Sequence, residues 1–213
     1  MATNDRVPEV YARLGVKPVI NAQSWVTMLG GSLMRPEVLR AMDEAATAFV
    51  DLADLTRAGG RIVARATGAE AGLVVAGASA GNVLMAAAAM TGTDRAKVDQ
   101  LPDTSGMPSE ILMFKGGRNS YDKSFVTAGA EIVEFGSTSG AQTYHLEAAI
   151  NENIAGLAWV VAPFQRYPFP LEQAIEIAHA HNIPVLVDAA AEVPPIDNLT
   201  WFTKIGADMV TFT

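Results

Sequence analysis

Short apolar runs alternate with helix-length stretches along most of the chain. The runs are bounded by Gly, Pro or charged residues and are rich in β-branched side chains, which predicts buried strands. The predicted strands cover residues 72–76, 110–114, 131–135, 157–162, 185–188 and 209–212. Because strands separated by helices need crossover connections, the pattern predicts an α/β fold with a mostly parallel sheet sandwiched by helices.

The stretches between these strands have the length of helices. Helices are predicted at residues 79–90, 120–128, 144–151 and 171–181, with a helical turn at 201–205, and ahead of the first strand at 9–14, 36–50 and 59–67. Pro36 suits a first helical turn, and Gly68 suits a helix end. Residues 93–109, rich in Pro and Gly, are predicted to form a loop. We therefore divide the chain into an N-terminal arm with helices, residues 1–68, and a large domain, residues 69–213.

Composition narrows the class of protein further. Half of the 213 residues are hydrophobic, which is enough for a sizeable core, and no apolar run reaches the length of a membrane span. The net charge of −8 and the scattered lysines and arginines argue against a nucleic-acid surface. The absence of cysteine excludes a thiolate metal site, and the few histidines disfavour zinc. Residues 1–10 carry no apolar signal segment, so we expect a cytoplasmic protein that acts on a small molecule.

The most informative strand is the one that ends at Asp188. Ligands of open parallel sheets bind beyond the carboxyl ends of the strands, so this carboxylate should border a cleft beside three alanines, residues 189–191. A carboxylate among apolar neighbours needs a cationic partner, and no lysine or arginine adjoins it in the sequence. A protonated nitrogen heterocycle would be such a partner. The alternative is that Asp188 caps the next segment or forms a surface ion pair.

A second candidate site is the segment of residues 77–82, Gly-Ala-Ser-Ala-Gly-Asn, which joins the first predicted strand to a helix. The free N–H groups and the dipole of a helix N-terminus favour an anion, and Ser79 adds a hydroxyl as the predicted N-cap. A phosphate group suits such a site. The segment lacks the Gly-Lys-Ser/Thr of a Walker A loop and the G-x-G-x-x-G spacing of dinucleotide-binding folds. A helix cap without a ligand is the alternative.

The same segment also matches G-x-S-x-G, the nucleophile elbow of α/β-hydrolases. An elbow serine requires an acid and then a histidine further along the chain. The histidines at 145, 179 and 181 all precede Asp188, and no histidine follows it. The order of the residues therefore disfavours a hydrolase.

Both candidate sites lie at the same predicted edge of the sheet. A ligand with a phosphate at one end and a pyridinium nitrogen at the other fits this arrangement, and pyridoxal 5′-phosphate (PLP) is such a ligand. Pairing with an aspartate keeps the ring nitrogen protonated, which lets the ring accept electrons from a carbanion.

Specific motifs resemble those of a known family. The order of three motifs, residues 77–82, Asp188-x-Ala190 and residues 206–213, resembles the large domain of fold-type I PLP-dependent enzymes. Within these enzymes, the chain resembles the group related to bacterial selenocysteine synthase (L-seryl-tRNA selenium transferase), which includes D-glucosaminate-6-phosphate ammonia-lyase. That closer resemblance rests on residues 19–22, 29–32, 118–122 and 188–192. In this group a Schiff-base lysine and a small C-terminal domain follow the last strand, so both are expected beyond Thr213.

The resemblance implies a role for each matching residue. Asp188 should pair with the pyridinium nitrogen and so take part in catalysis, and Ala190 should lie under the ring. Arg118 or Asn119 stands where relatives place a side chain over the ring, and Gln165 should approach the phenolic oxygen. The cofactor phosphate should be held by Ala78, Ser79, Ala80 and Thr213.

The resemblance also implies a function. We expect a PLP-dependent enzyme that acts on an amino acid or amino-sugar acid by α,β-elimination. An aminotransferase, a racemase or a selenium transferase is the alternative with the same cofactor, and a non-catalytic binding or assembly module is the alternative of another class. Fold-type I enzymes build active sites from two subunits, so we expect a homodimer or higher homo-oligomer in which the loop at residues 21–33 lies near the neighbour's cofactor.

Overall fold

The computed structural model describes residues 8–23, 26–162 and 166–213. The chain divides into two compact units, Met1–Phe49 and Val50–Thr213. The sheet lies in the second unit, and the expected domain boundary after Gly68 falls inside that unit.

The described part of the first unit consists of short helices joined by loops. Its regular elements are helix α1 (Glu9–Arg13), a 3₁₀ turn (Thr27–Leu29) and helix α2 (Pro36–Ala45). Helix α2 begins at the predicted proline but ends at Ala45, earlier than the predicted residue 50. Just after this end, the Thr47 hydroxyl donates to the carbonyl oxygen of Glu44 at 2.7 Å. No described residue of this unit is buried, so these residues form no core of their own.

Helix α3 (Leu52–Thr67) opens the second unit. Asp51 is its N-cap, and its carboxylate accepts a hydrogen bond from the backbone N–H of Asp54 at 3.0 Å. The helix therefore begins earlier than the predicted residue 59. It ends, as predicted, at Gly68, which has a φ of 69°.

Five parallel strands in the described residues form the sheet of the second unit. They are β1 (Glu110–Phe114), β2 (Glu131–Phe135), β3 (Ile154–Val160), β4 (Val185–Asp188) and β5 (Met209–Thr211), in the spatial order β2-β1-β3-β4-β5. The bounds of β1, β2 and β4 are the predicted ones. In the register of β4, Asp188 lies opposite Val160 of β3 and Thr211 of β5. The predicted α/β class with a parallel sheet is confirmed.

Helices cover both faces of the sheet. They are α4 (Ala78–Thr91), α5 (Arg95–Gln100), α6 (Lys123–Val126), α7 (Thr143–Ala149), α8 (Leu171–Ala180) and α9 (Asn198–Lys204). Alternate strand residues face opposite cores, as the pleat requires: Leu112 contributes to the core under α7, α8 and α9, whereas Met113 contributes to the core under α4 and α6. The central strands are buried on both faces, so they read as continuous apolar runs.

Two predictions about elements are wrong. Residues 72–76 form no strand, and Leu73 and Val74 are 51% and 66% exposed. This segment packs on α3 instead: a β-carbon added at Gly60 would lie 2.3 Å from the carbonyl oxygen of Gly72. The predicted loop at 93–109 contains α5, because the Asp94 side chain caps that helix by accepting from the N–H groups of its first turn.

Candidate active site

The start of helix α4 lies against the carboxyl end of strand β5. Gly77 precedes the helix with a φ of 92°, a conformation that favours glycine. The N–H of Gly81 donates to the carbonyl oxygen of Gly77 at 3.2 Å, so the N–H groups of Ser79 and Ala80 lie ahead of this first bond of the helix. The prediction that Ser79 is the N-cap is wrong. The N-cap is Gly77, and Ser79 lies in the first turn because the helix already begins at Ala78.

The residue after β5 closes this helix start from the other side. Oγ1 of Thr213 accepts a hydrogen bond from the backbone N–H of Ala78 at 3.1 Å. The structure thus brings together all four residues assigned to a phosphate, Ala78, Ser79, Ala80 and Thr213. Because the Ala78 N–H already donates to Thr213, the groups that can donate to an anion here are the N–H groups of Ser79 and Ala80 and the hydroxyls of Ser79 and Thr213.

Asp188 ends strand β4 with a carboxylate that is buried, since the residue is only 6% exposed. Its Oδ2 accepts a hydrogen bond from Nδ2 of Asn82 at 2.6 Å, and its Oδ1 accepts one from the backbone N–H of Ala190 at 3.1 Å. Both donors are neutral. No ion pair in the described ranges involves Asp188. The described part of the chain therefore leaves the charge of this carboxylate without a cationic partner.

Asn82 joins Asp188 to helix α6. The Asn82 side chain is 1% exposed, and its Nδ2 also donates to Oγ of Ser124 at 3.1 Å. The Ser124 hydroxyl in turn donates to the carbonyl oxygen of Tyr121 at 2.7 Å. Oδ1 of Asn82 is buried and has no hydrogen-bond partner among the described residues. The site thus contains a continuous polar chain and one buried acceptor that lacks a donor.

An open cleft of about 320 Å³ lies beside the hydrogen-bonded side chains of Asn82 and Ser124. Its walls come from the first turns of α4 and from the segment around α6, and they are formed by Ser79, Ala80, Val83, Ser120, Tyr121, Lys123, Ser124 and Thr127. Two of the predicted phosphate ligands therefore border the cleft, together with the serine that binds Asn82. A small anionic ligand has access to these donors.

Arg118 and Asn119 lie in the loop after β1, where ion pairs and turns hold them. The guanidinium of Arg118 pairs with the buried Asp122, and its Nη1 lies 2.7 Å from a carboxylate oxygen of Glu134. Lys115 contacts the same glutamate at 2.9 Å, and this contact, with help from Arg118, lowers the pKa of Glu134. Oδ1 of Asn119 accepts from the N–H of the residue two positions on. The side chain of Arg118 is thus engaged in a local ion-pair network.

Tyr167 lies near the end of β3 and comes two positions after Gln165 in the sequence. Its hydroxyl oxygen accepts a hydrogen bond from the N–H of Val160 at 2.9 Å, and its ring stacks on Trp159 with centroids 3.9 Å apart. Burial raises the pKa of this phenol, and the charges of Asp122 and Asp188 add to the rise. The hydroxyl is therefore a neutral hydrogen-bonding group. Gln165 itself lies outside the described residues.

Glu192 follows Asp188 in the turn beyond β4. Its Oε1 is buried without a hydrogen-bond partner in the described part of the chain, and burial raises the pKa of its carboxyl group. The backbone around it is fixed, because Nδ2 of Asn198 donates to its carbonyl oxygen at 2.7 Å. A second carboxyl group thus occupies the loop that carries Ala190.

Sequence reasoning missed the functional environment of Asp188. In the sequence, Asn82 is only the last residue of a small-residue motif, and no motif includes Ser124 or Tyr167. A signal for Asn82 existed: it follows Ser79 by one helical turn, so both side chains occupy the same face of α4. No comparable signal pointed to Ser124, whose partner is 42 residues away in the sequence.

Two classes of feature are absent from the residues that the structure describes. No group of three or more His, Cys, Asp or Glu side chains in these ranges could hold a metal ion. No helix in them is long and apolar enough to cross a membrane.

Comparisons with known proteins agree with the fold. No protein-family model matches the chain. The chain is 40% identical over 212 residues to D-glucosaminate-6-phosphate ammonia lyase of Salmonella typhimurium. The matched region covers 97% of this chain and 56% of that protein. The chain is 36% identical over 211 residues to 5′-C-glycyluridine monooxygenase-decarboxylase of a Streptomyces species, covering 95% of this chain and 52% of that protein. The chain thus spans about half the length of these relatives.

Solved structures show similarity to the same kind of protein. The structure titled D-glucosaminate-6-phosphate ammonia-lyase superposes with a TM-score of 0.91 at 38% identity, covering 98% of this chain and 57% of that one. A serine palmitoyltransferase of Sphingomonas wittichii has a TM-score of 0.54 at 16% identity over 84% of this chain and 46% of its own, which shows the fold alone.

The sheet, the helix start at Ala78 and the strand end at Asp188 therefore define the large-domain fold of fold-type I PLP-dependent enzymes. Within that class, the chain is similar in sequence and in structure to D-glucosaminate-6-phosphate ammonia lyase. The predicted resemblance is confirmed, and both curated relatives are named as enzymes.

Proposed function

We propose that this chain binds PLP between helix α4 and strand β4 and belongs to an enzyme that acts on an amino acid or amino-sugar acid by α,β-elimination. The observation that carries the proposal is the buried carboxylate of Asp188, which has neutral donors but no cation among its described partners. A protonated ring nitrogen would complete this site, because it brings both a charge and an N–H donor.

Three features of the described residues suit the cofactor. The first turn of α4 and Oγ1 of Thr213 offer donors to a phosphate. Gly81 lets α4 approach β5 so closely that these donors and Asp188 share one edge of the sheet. The buried Oδ1 of Asn82 still needs a donor. A ligand with a phosphate and a hydrogen-bonding aromatic ring suits all three features.

When bound, PLP supplies an electron-accepting ring that stabilises a carbanion at the substrate carbon bearing the amino group. The Asp188 carboxylate would hold the proton on the ring nitrogen, and the first turn of α4 would fix the position of the phosphate. Ala190, whose N–H already binds Asp188, would lie under the ring. Arg118 and Asn119 are proposed to border the ring side through their loop, and Gln165 is proposed to reach the phenolic oxygen.

The proposed substrate class is an amino-sugar acid. The relative with the higher identity, covering 56% of its length, is named as an ammonia lyase of D-glucosaminate-6-phosphate, a compound with a carboxylate, an amine and a phosphate. Release of ammonia from such compounds would support elimination, whereas transfer of the amino group to a 2-oxo acid would favour an aminotransferase. Cofactor binding without turnover of any amine would favour the non-catalytic module.

Binding of pyridoxamine 5′-phosphate to the purified protein tests the site directly. This probe carries the phosphate and the pyridine ring but forms no Schiff base, so its affinity depends on residues described above. We expect saturable binding by fluorescence titration, and a loss of about 10- to 100-fold in affinity for Asp188→Ala, because a hydrogen bond to a charged group contributes roughly 1.5–3 kcal/mol. Asp99→Ala, which removes an exposed carboxylate from α5, should bind normally. Absence of binding by the unmutated protein would contradict the proposal.

We also infer that the protein is a homodimer or a multiple of one. The support is the first unit, in which Ile20, Met28 and Leu33 are 99%, 87% and 98% exposed and no described residue is buried. Apolar side chains spaced along one loop are costly to leave in water, and a two-fold partner could cover them. Light scattering should give at least twice the mass of one chain. A cofactor-loaded monomer at micromolar concentration would contradict the inference.

A further inference from the structure

We propose that Asn82 is a positioning residue, which fixes the Asp188 carboxylate through one amide hydrogen and leaves its remaining lone pairs directed at the cofactor ring. This inference rests on the proposed PLP site. It concerns a residue that neither the sequence motifs nor the names of the relatives assign.

The direction of each hydrogen bond follows from the geometry. The Ser124 hydroxyl uses its hydrogen on the carbonyl oxygen of Tyr121 at 2.7 Å, so its oxygen accepts from Nδ2 of Asn82 at 3.1 Å. The second hydrogen of the same nitrogen goes to Oδ2 of Asp188 at 2.6 Å. A flipped amide would place Oδ1 against the carboxylate, and two acceptors repel at that distance. Both hydrogens of Asn82 are therefore committed.

This arrangement determines what Asp188 can still accept. A carboxylate has about four lone-pair positions, and the Asn82 amide and the Ala190 N–H occupy one on each oxygen. Because both donors are neutral, they orient the group without cancelling its charge. The carboxylate is thus held by a helix on one side and by its own loop on the other. A ring N–H⁺ then meets an acceptor whose rotation is already fixed.

A role in positioning can be distinguished from a role in packing by comparing two substitutions. Asn82→Leu keeps the branched shape of the side chain, at a larger volume, but removes the donor. Asn82→Ala removes both, but it leaves a space bordered by Asp188 and Ser124, where a water molecule can donate to the carboxylate. If Asn82 positions Asp188, the alanine variant should bind better than the leucine variant. If Asn82 only fills space, the order should be reversed.

Two readouts on the purified protein decide between these roles. We expect Asn82→Leu to weaken pyridoxamine 5′-phosphate binding about tenfold, with Asn82→Ala in between. In the leucine variant, the nitrogen-15 resonance of the labelled ring should move toward that of a neutral pyridine, because a carboxylate with fewer donors takes the proton more strongly. A merely structural role would not move this resonance.

Thr91→Val is the matched control. Thr91 is a buried polar residue at the other end of α4, and its hydroxyl donates to the carbonyl oxygen of Ala87 at 2.9 Å. This variant should lose stability but keep the affinity and the ring resonance. Normal binding and an unchanged resonance in both Asn82 variants would overturn the inference while leaving the proposed function intact. Failure of the unmutated protein to bind the probe would instead overturn the proposed function.

Discussion

A β-carbon built on Gly81 would lie 2.2 Å from Oγ1 of Thr211, so helix α4 and strand β5 approach each other more closely than any side chain at position 81 allows. Gly81→Ala should therefore push the helix off the sheet. We expect a loss of roughly 1–3 kcal/mol in the free energy of unfolding, together with weaker binding of pyridoxamine 5′-phosphate. Denaturant unfolding and a binding titration measure both effects.

Gly140→Ala is the control for this prediction. A β-carbon at Gly140 would meet nothing within 4 Å. Its stability should therefore match that of the unmutated protein within about 0.5 kcal/mol. Equal stability of the two alanine variants would show that the close approach at Gly81 has no energetic weight.

Replacing Tyr167 by Phe should destabilise the end of β3. The N–H of Val160 would lose its acceptor, at a cost of about 1–3 kcal/mol for a buried donor. Tyr144→Phe is the matched control, because Tyr144 is 59% exposed. Thermal unfolding of the two variants should separate them clearly, and equal melting temperatures would contradict the assigned role of the hydroxyl.

The same tyrosine predicts a dependence on alkaline pH. Burial raises the pKa of Tyr167 above its ordinary value of 10.0, so the unfolded chain releases this proton before the folded one does. The contribution to stability is thus fully present below that value and declines as the pH rises above it. The difference in stability between the unmutated protein and Tyr167→Phe should shrink above pH 10.0. A difference that stays constant up to pH 11 or so would contradict the raised pKa.

Glu192 predicts a second pH dependence, in the acidic range. Burial raises the pKa of its carboxyl group above the ordinary value of 4.5, so the folded state holds the proton more tightly than the unfolded state. Its effect on stability is absent below that pH and becomes unfavourable as the pH rises through the folded-state value. Glu192→Gln should therefore be more stable than the unmutated protein at neutral pH and equal to it at about pH 4.

Thermal unfolding at the two pH values measures the Glu192 effect. Glu152→Gln serves as the control, since Glu152 is exposed in the turn before β3. Equal stabilities of Glu192→Gln and the unmutated protein at neutral pH would argue that the carboxyl group finds a donor in solution.

The strands could be predicted from the sequence because burial on both faces leaves a direct trace. β1 and β4 consist almost entirely of buried apolar residues, and their bounds were predicted correctly. The predicted bounds of β2 are also correct, although this edge strand contains two glutamates and is only partly buried. Residues 72–76 show the limit of that signal. Leu73 and Val74 belong to an apolar run that resembles those of the strands, but no strand pairs with it in the described residues. Strand formation requires a partner strand, and the sequence of one segment does not show whether a partner is present.

The candidate site was only partly predictable for a related reason. Asp188 and the start of α4 were found because each carries a local signal: a charge that ends a strand, and small residues that open a helix. The hydrogen bond between Asn82 and Asp188 joins residues 106 positions apart, and neither segment carries a local sequence signal that predicts it. The engagement of Arg118 with Asp122 and Glu134 was likewise not foreseen, because Glu134 comes from the neighbouring strand β2.

The parallel sheet also has a consequence for biosynthesis. Among the described strands, no neighbouring pair is joined by a tight turn, so each pairing must wait until a crossover segment has been synthesised. As the chain leaves the ribosome, β1 and β2 can pair first, β3 then adds to the free side of β1, and β4 and β5 extend the sheet in turn. Helix α4 is synthesised before all of these strands, yet Gly81 lies against Thr211 of β5, the last of the described strands in chain order. The proposed cofactor site therefore forms only after β5 has been synthesised, and the length at which nascent chains begin to bind the cofactor would test this.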